Sequence, residues 1–223
     1  MNKLIVDENE PVTLVGGGDL GEGDLNWALS LTSCLVAADG GAAHALAQNR
    51  LPRAVIGDFD SISPQILAQM PAAQQVHVAE QDTTDFEKAL QAIRAPLVVA
   101  VGFLGGRVDH QLAVLNTLVQ DIGPPCIVLG EREVIFHLPA QITLPLTAGE
   151  TVSLFPLRRV SACSTGLEWP LEGLVMQPGG QIGTSNRALG PVAISVDGPG
   201  LLGLLPRHHL PALMQALRPG PQD

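Results

Sequence analysis

Short apolar runs, partly β-branched, recur through the first half of the chain at Val12–Val15, Cys34–Ala38, Ala54–Ile56, Gln75–Val78, Leu97–Val101 and Cys126–Leu129. Each reads as a strand. Between them lie stretches suited to helices: Asp24–Leu31, Gly41–Gln48, Pro64–Met70, Thr83–Ile93 and Asp109–Val119. In the last, Leu112, Leu115 and Val119 recur at helical spacing and Leu118 joins the same face. Strands alternating with helices through short connections predict a parallel sheet with helices packed on it.

From about Leu138 the pattern changes. Pro, Gly, Thr and Ser punctuate short apolar runs at Gln141–Leu144, Thr151–Phe155, Leu174–Met176 and Val192–Val196, and no long helix is expected before Leu210–Leu217. Closely spaced short strands predict an antiparallel sandwich. The expected fold is therefore α/β over residues 1–136, with a mostly parallel sheet and flanking helices. A C-terminal antiparallel β-sandwich domain follows over residues 137–223, with the boundary near Phe136–Pro139.

Composition narrows the partners. Twelve basic residues against 22 acidic ones give a formal charge of −10, which argues against nucleic acid because no basic footprint is present. Nothing reaches the roughly 18 apolar residues of a membrane span, and the N-terminus lacks the basic-then-apolar order of a signal peptide. A cytoplasmic location is expected. Cys34, Cys126 and Cys163 are widely separated and odd in number, so they read as three buried thiols in a reducing compartment.

The acids fall in a pattern. Asp39 follows the second run, Asp58 and Asp60 the third, Asp82 and Asp85 the fourth, and Asp109 comes after the fifth. All would lie at carboxyl ends of parallel strands, where open α/β sheets bind ligands. In an extended strand end Asp58 and Asp60 would point the same way. Paired hard oxygens with substrate phosphates completing the shell are how Mg²⁺ is usually held, and the neighbouring glycines let backbone amides approach phosphate. Taken singly, Asp82-Thr83-Thr84-Asp85 reads equally as a helix N-cap, and Asp39-Gly40-Gly41 as a turn. Gly16-Gly17-Gly18 is either a phosphate loop or a flexible turn, and no Walker or dinucleotide fingerprint occurs. His110, first-turn neighbour of Asp109, is expected to face solvent.

Several blocks together resemble the thiamin pyrophosphokinase family. They are Asp39-Gly40-Gly41-Ala42, Gly57-Asp58-Phe59-Asp60-Ser61-Ile62, Gln81-Asp82-Thr83-Thr84-Asp85-Phe86 and the Gly-Gly-Arg-Val-Asp-His ending at His110. In the second half Thr165-Gly166-Leu167-Glu168-Trp169-Pro170-Leu171 and Thr184-Ser185-Asn186 are similar to that family's thiamin-side motifs. The resemblance implies transfer of the pyrophosphoryl group of ATP to the hydroxyl of thiamin, giving thiamin diphosphate and AMP, by a homodimer with sites between subunits. It implies that Asp58, Asp60 and Asp85 bind Mg²⁺ and support catalysis. Asp39, Gly40, Gly41, Gly105, Arg107, Asp109, Asp82 and Thr84 would line the nucleotide site, with Gln81 reaching the substrate. Trp169, Ser185 and Asn186 would form a thiamin pocket supplied by the partner subunit. An indole face attracts a cationic aromatic. One departure is Ala43, where the family often carries a polar residue. Two other readings compete: another Mg²⁺-dependent nucleotide transferase with an Asp-x-Asp clamp, and a non-catalytic nucleotide- or vitamin-binding module.

Overall fold

The computed structural model describes residues 4–80 and 82–218. It divides into two compact units. One runs to Thr117 and includes Ile122–Leu129; the other takes Leu118–Asp121 and the chain from Gly130. Among the described residues no helix is long and apolar enough to cross a membrane.

The first unit contains strands β1 (Val6–Asp7), β2 (Val12–Val15), β3 (Cys34–Ala38), β4 (Ala54–Gly57), β5 (Gln75–His77), β6 (Ile93–Arg94), β7 (Val98–Val101) and β8 (Cys126–Leu129). Its helices are α1 (Asp24–Leu31), α2 (Gly41–Ala47), α3 (Pro64–Leu67), α4 (Asp85–Gln91) and most of α5 (Val108–Leu118). β1 and β6 pair briefly on their own. The other six strands form one parallel sheet in the order β5-β4-β3-β2-β7-β8. Every residue of β2, β4, β7 and β8 is buried, as parallel strands covered on both faces require. Leu14, Leu25, Ile56, Leu90, Leu97 and Ile127 are fully buried in its core, each contributing roughly 1.5–3 kcal/mol.

This order has a consequence for function. The chain enters this sheet in its middle at β2, winds outward through β3, β4 and β5, then returns to β7 and β8 on the other side. The winding direction reverses beside β2, so the carboxyl ends of β2, β3 and β7 frame a topological switch point.

The helices differ from expectation in detail. α3 stops at Leu67 rather than Met70, because Pro71 disfavours helical backbone just before it. α4 starts at Asp85, with Thr84 outside as its cap, and Ile93 leaves the helix to join β6. In α5 the buried stripe is Val114, Thr117 and Leu118, while Leu112, two positions off it, is 60% exposed.

The second unit is antiparallel. Its strands are β9 (Glu133–His137), β10 (Gln141–Leu144), β11 (Thr151–Pro156), β12 (Val160–Leu167), β13 (Val175–Met176), β14 (Gly183–Val196) and β15 (Leu201–Pro206), followed by α6 (Leu210–Leu217). Because β9 pairs with β15, packing changes over at Gly130, ahead of the Phe136–Pro139 position read from composition. The 14-residue β14 organises the unit. Its first part pairs with β11, its last part with β10, and β12 runs along its other edge. Burial alternates along β10 and β11, the mark of strands with one face on a core. Phe136, Leu138, Leu144, Leu154, Leu171 and Met176 fill that core. Against the expectation of three buried thiols, the structure buries Cys126 and leaves Cys163 exposed.

Gly166 sits at the irregularity in β12 between Thr165 and Leu167. Its φ is +79°, and an added Cβ would lie 2.1 Å from the Pro191 carbonyl oxygen. Left-handed backbone and overlap with main chain both penalise a side chain here. Gly166→Ala is expected to lower stability by about 2–4 kcal/mol, read as a lower midpoint in chemical denaturation.

Candidate active site

Three carboxylates meet at the carboxyl ends of β3 and β4. Asp39 follows β3 with a φ of +40°, held by its N–H donating to the Ile56 carbonyl at 2.9 Å. Its Oδ2 accepts the Ser61 N–H at 3.1 Å, while its Oδ1 is buried and meets no hydrogen-bond partner among the described residues. Asp58 and Asp60 are joined by Phe59, whose φ is +65°. That left-handed residue makes a turn rather than the extended strand end expected, and the turn folds the pair together: the Asp60 N–H donates to Asp58 Oδ1 at 3.3 Å. Oxygen atoms of Asp39, Asp58 and Asp60 all lie within 4.8 Å of one another. Hard carboxylate oxygens, one of them buried and unmet, suit a Mg²⁺-sized cation.

Asp85, at the start of α4, is placed by a different contact. The Lys88 ammonium donates to Asp58 Oδ2 at 3.2 Å and to Asp85 Oδ1 at 3.4 Å, from a side chain only 2% exposed. Lys88 shares α4 with buried Phe86, Ala89 and Leu90, so its stem packs with an apolar face while its head reaches the acids. Burial works against its charge, but the two carboxylates outweigh burial and raise its pKa. Burial likewise pushes the Asp85 carboxyl up, with Asp58 and Asp60 adding repulsion and Lys88 opposing it. For Asp58 burial is overcome by the Asp60 N–H and Lys88, and its carboxyl is lowered. Lys88 was not singled out from sequence; the only signal was one cation three residues after Asp85.

The glycines mostly serve close packing of the loops around the switch point. The Gly16 N–H donates to Val101 O and the Gly18 N–H to Gly102 O, at 2.9 and 2.8 Å. A Cβ on Gly16 would strike the Phe103 ring and the Gly102 carbonyl. Gly41 is buried where the Val15 carbonyl fills the space of a side chain, with Gly40 preceding it as the N-cap of α2. Gly105 packs against Asp19, whose Oδ2 accepts the Gly106 N–H at 3.1 Å. The loops after β2 and β7 are therefore stitched together, which accounts for Gly16 and Gly18.

Arg107 and Asp109 form an exposed two-contact ion pair at 3.1 and 2.5 Å, and the guanidinium holds the Asp109 carboxyl down at about 2. His110 is exposed beside them. Thr84 caps α4 by accepting the Glu87 N–H at 3.2 Å. The exposed Asp82 donates its N–H to Glu80 Oε1 at 2.6 Å. Gln81 lies outside the described residues.

The second unit brings Trp169, Ser185 and Asn186 together. Asn186 is buried, and its amide clamps the Trp169 backbone: Oδ1 accepts the Trp169 N–H at 3.1 Å and Nδ2 donates to Trp169 O at 2.7 Å. The Trp169 side chain is left 52% exposed, with the Arg187 guanidinium 5.9 Å from the ring centroid. Ser185, at φ +61°, donates its N–H to Ser153 Oγ at 2.9 Å.

Both halves have recognisable relatives. Residues 26–126 match the family described as thiamin pyrophosphokinase, catalytic domain, and residues 139–201 match thiamin pyrophosphokinase, vitamin B1 binding domain. Thiamin pyrophosphokinase 1 of Caenorhabditis elegans is 31% identical over 153 residues, 60% of this chain and 62% of that protein. Thiamine pyrophosphokinase 1 of Oryza sativa subsp. japonica is 31% identical over 154 residues, 60% of this chain and 58% of that one. The chain thus matches about three fifths of the length of these relatives. Among solved structures, thiamin pyrophosphokinase from Geobacillus thermodenitrificans superposes with a TM-score of 0.68 at 26% identity, covering 88% of this chain and 96% of the other. The Candida albicans structure gives 0.75 at 16% identity, covering 88% and 90%, and attests the fold.

The Asp39 carboxyl makes a testable signature. Burial pushes its pKa from the ordinary 3.8 up to about 6, opposed by the Ser61 N–H and reinforced by the neighbouring acids. A pKa higher in the folded than in the unfolded chain means that protonation favours folding; this gain is complete below 3.8 and lost as pH rises through about 6. Asp39→Asn keeps a residue type tolerant of positive φ and removes the charge. In metal-free buffer the variant should be more stable than the parent at pH 8, by on the order of 1–3 kcal/mol. The difference should shrink as pH falls from 8 to 4, measured by denaturant unfolding; a pH-independent difference would refute the assignment.

Proposed function

The chain belongs to the thiamin pyrophosphokinase family, and we propose that it transfers the pyrophosphoryl group of ATP to the hydroxyl of thiamin, releasing AMP. The single observation that carries this reading at the chemical site is the convergence of Asp39, Asp58 and Asp60 oxygens within 4.8 Å, with Asp39 Oδ1 buried and unmet among the described residues. A non-catalytic binding module has little use for such an arrangement. A different Asp-x-Asp transferase would not account for the vitamin B1 binding match over residues 139–201.

Asp39, Asp58 and Asp60 would hold Mg²⁺, which when bound supplies charge neutralisation on the transferring phosphate oxygens. The thiamin hydroxyl oxygen forms a bond to the β-phosphorus, and the bond from that phosphorus to the oxygen bridging it to the α-phosphate breaks, with AMP leaving. Asp85, its carboxyl raised by burial, is suited to accept the hydroxyl proton. Lys88 keeps Asp58 and Asp85 in place by its paired contacts. Arg107 and Asp109 engage the nucleotide. Trp169 offers its exposed ring to the thiamin cation, with Asn186 fixing the backbone that carries it. The working form in this reading is a cytoplasmic homodimer in which the partner subunit supplies the thiamin pocket.

Purified protein with ATP, Mg²⁺ and thiamin should yield AMP and thiamin diphosphate in equal amounts. Asp60→Asn should reduce kcat by about a hundredfold or more with its circular dichroism unchanged. Thiamin-independent ATP consumption, or full activity in the variant, would contradict the reading. Trp169→Ala should raise KM for thiamin by about 2- to 30-fold and leave KM for ATP nearly unchanged; equal change in both would mark a structural tryptophan.

A further inference from the structure

A second convergence of ligand atoms lies in the antiparallel unit, where none of the proposed chemistry uses it. Among the described residues two groups bring three donor atoms within 4.8 Å: the aspartates above, and Glu150 with His208 and His209. We propose that Glu150, His208 and His209 form a binding site for a late first-row divalent ion of the zinc type.

The carboxylate is set in advance. Glu150 closes the turn before β11, and its Oε2 accepts the Thr147 N–H at 2.7 Å. This leaves Oε1 to face both imidazoles, with His208 Nε2 at 3.3 Å and His209 Nε2 at 3.0 Å. A single 3₁₀ turn, Arg207–His209, delivers the two histidines from adjacent positions, with ring centroids 4.1 Å apart. Orientation of a ligating carboxylate by a backbone amide is typical of metal sites.

His209 Nε2 is the decisive atom. The residue is 8% exposed, and its Nε2 is buried without a hydrogen bond among the described residues. Glu150 is within reach in distance but off the axis a hydrogen bond needs. A buried imidazole nitrogen left in that state costs free energy, and a metal accepting its lone pair removes the cost.

The spacing fits as well. Donors at bond lengths of about 2.0–2.1 Å around a tetrahedral ion are about 3.3–3.4 Å apart, close to the two Glu150–histidine separations. Two imidazoles with one carboxylate select zinc, cobalt or nickel over the hard ions favoured by an all-carboxylate group. The His208 side chain is 66% exposed, so a fourth position stays open to water. The bound ion would tie the turn before β11 to the start of α6, stabilising this unit by mass action.

Co²⁺ is the probe, titrated into the full chain in excess Mg²⁺ so that the aspartate group is saturated. The expected result is one Co²⁺ per chain with the strong visible bands of tetrahedral coordination. Glu150→Gln, His209→Gln and His208→Ala should each weaken it by about tenfold or more. His208→Ala removes an exposed ring and keeps the fold, so its outcome is decisive if the buried variants are unstable. Three results would overturn the site: no Co²⁺ bound, an octahedral spectrum, or a sulfur charge-transfer band with unchanged affinity in His208→Ala, which would point to an exposed thiol such as Cys163.

Discussion

Four carboxylates crowd the rim of one parallel sheet, and the buried ammonium of Lys88 is the interaction that allows it. Like charges at this separation raise one another's pKa and oppose folding. Lys88 pairs with Asp58 and Asp85 at once and so offsets charge at one end of the group. Asp39, which has no cation against it in this way, is the acid whose pKa is driven highest among them. A divalent ion would complete what Lys88 begins. In the proposed reading, a cation bound there would stabilise the protein by relieving that repulsion.

Much of the fold was legible because buried parallel strands have to be apolar along their whole length. β2, β3 and β8 coincide with the runs read from sequence. β12 escaped notice for the opposite reason: its buried positions include Ala162 and Ser164, which carry little apolar signal. β9 and β15 are apolar enough, but β9 straddles the change in composition and β15 follows Gly200, carries Gly203 and ends on Pro206. Leu112 misled because helical spacing identifies a stripe without saying which side of it meets the core.

The site divides in the same way. Acids at strand ends can be read from order alone, since the sheet topology fixes where those ends lie. The convergence of Asp39 with Asp58 and Asp60, with Asp85 turned toward Lys88, depends on positive φ at Asp39 and Phe59, which no periodicity reveals. Asn186 carries another lesson: a residue in a binding motif can act by clamping the backbone of its neighbour. The Glu150–His208–His209 group joins residues 58 apart through the packing of one antiparallel unit, so spacing along the chain conceals it.

Phosphate transfer is proposed to depend on a metal seat formed jointly by Asp39, Asp58 and Asp60. Anomalous diffraction from crystals grown with Mn²⁺ and a non-hydrolysable ATP analogue tests it most directly. A manganese peak coordinated by oxygens of these three aspartates and by the analogue's phosphates is expected. A peak elsewhere, with the three carboxylates unliganded and Lys88 still bridging Asp58 and Asp85, would contradict it.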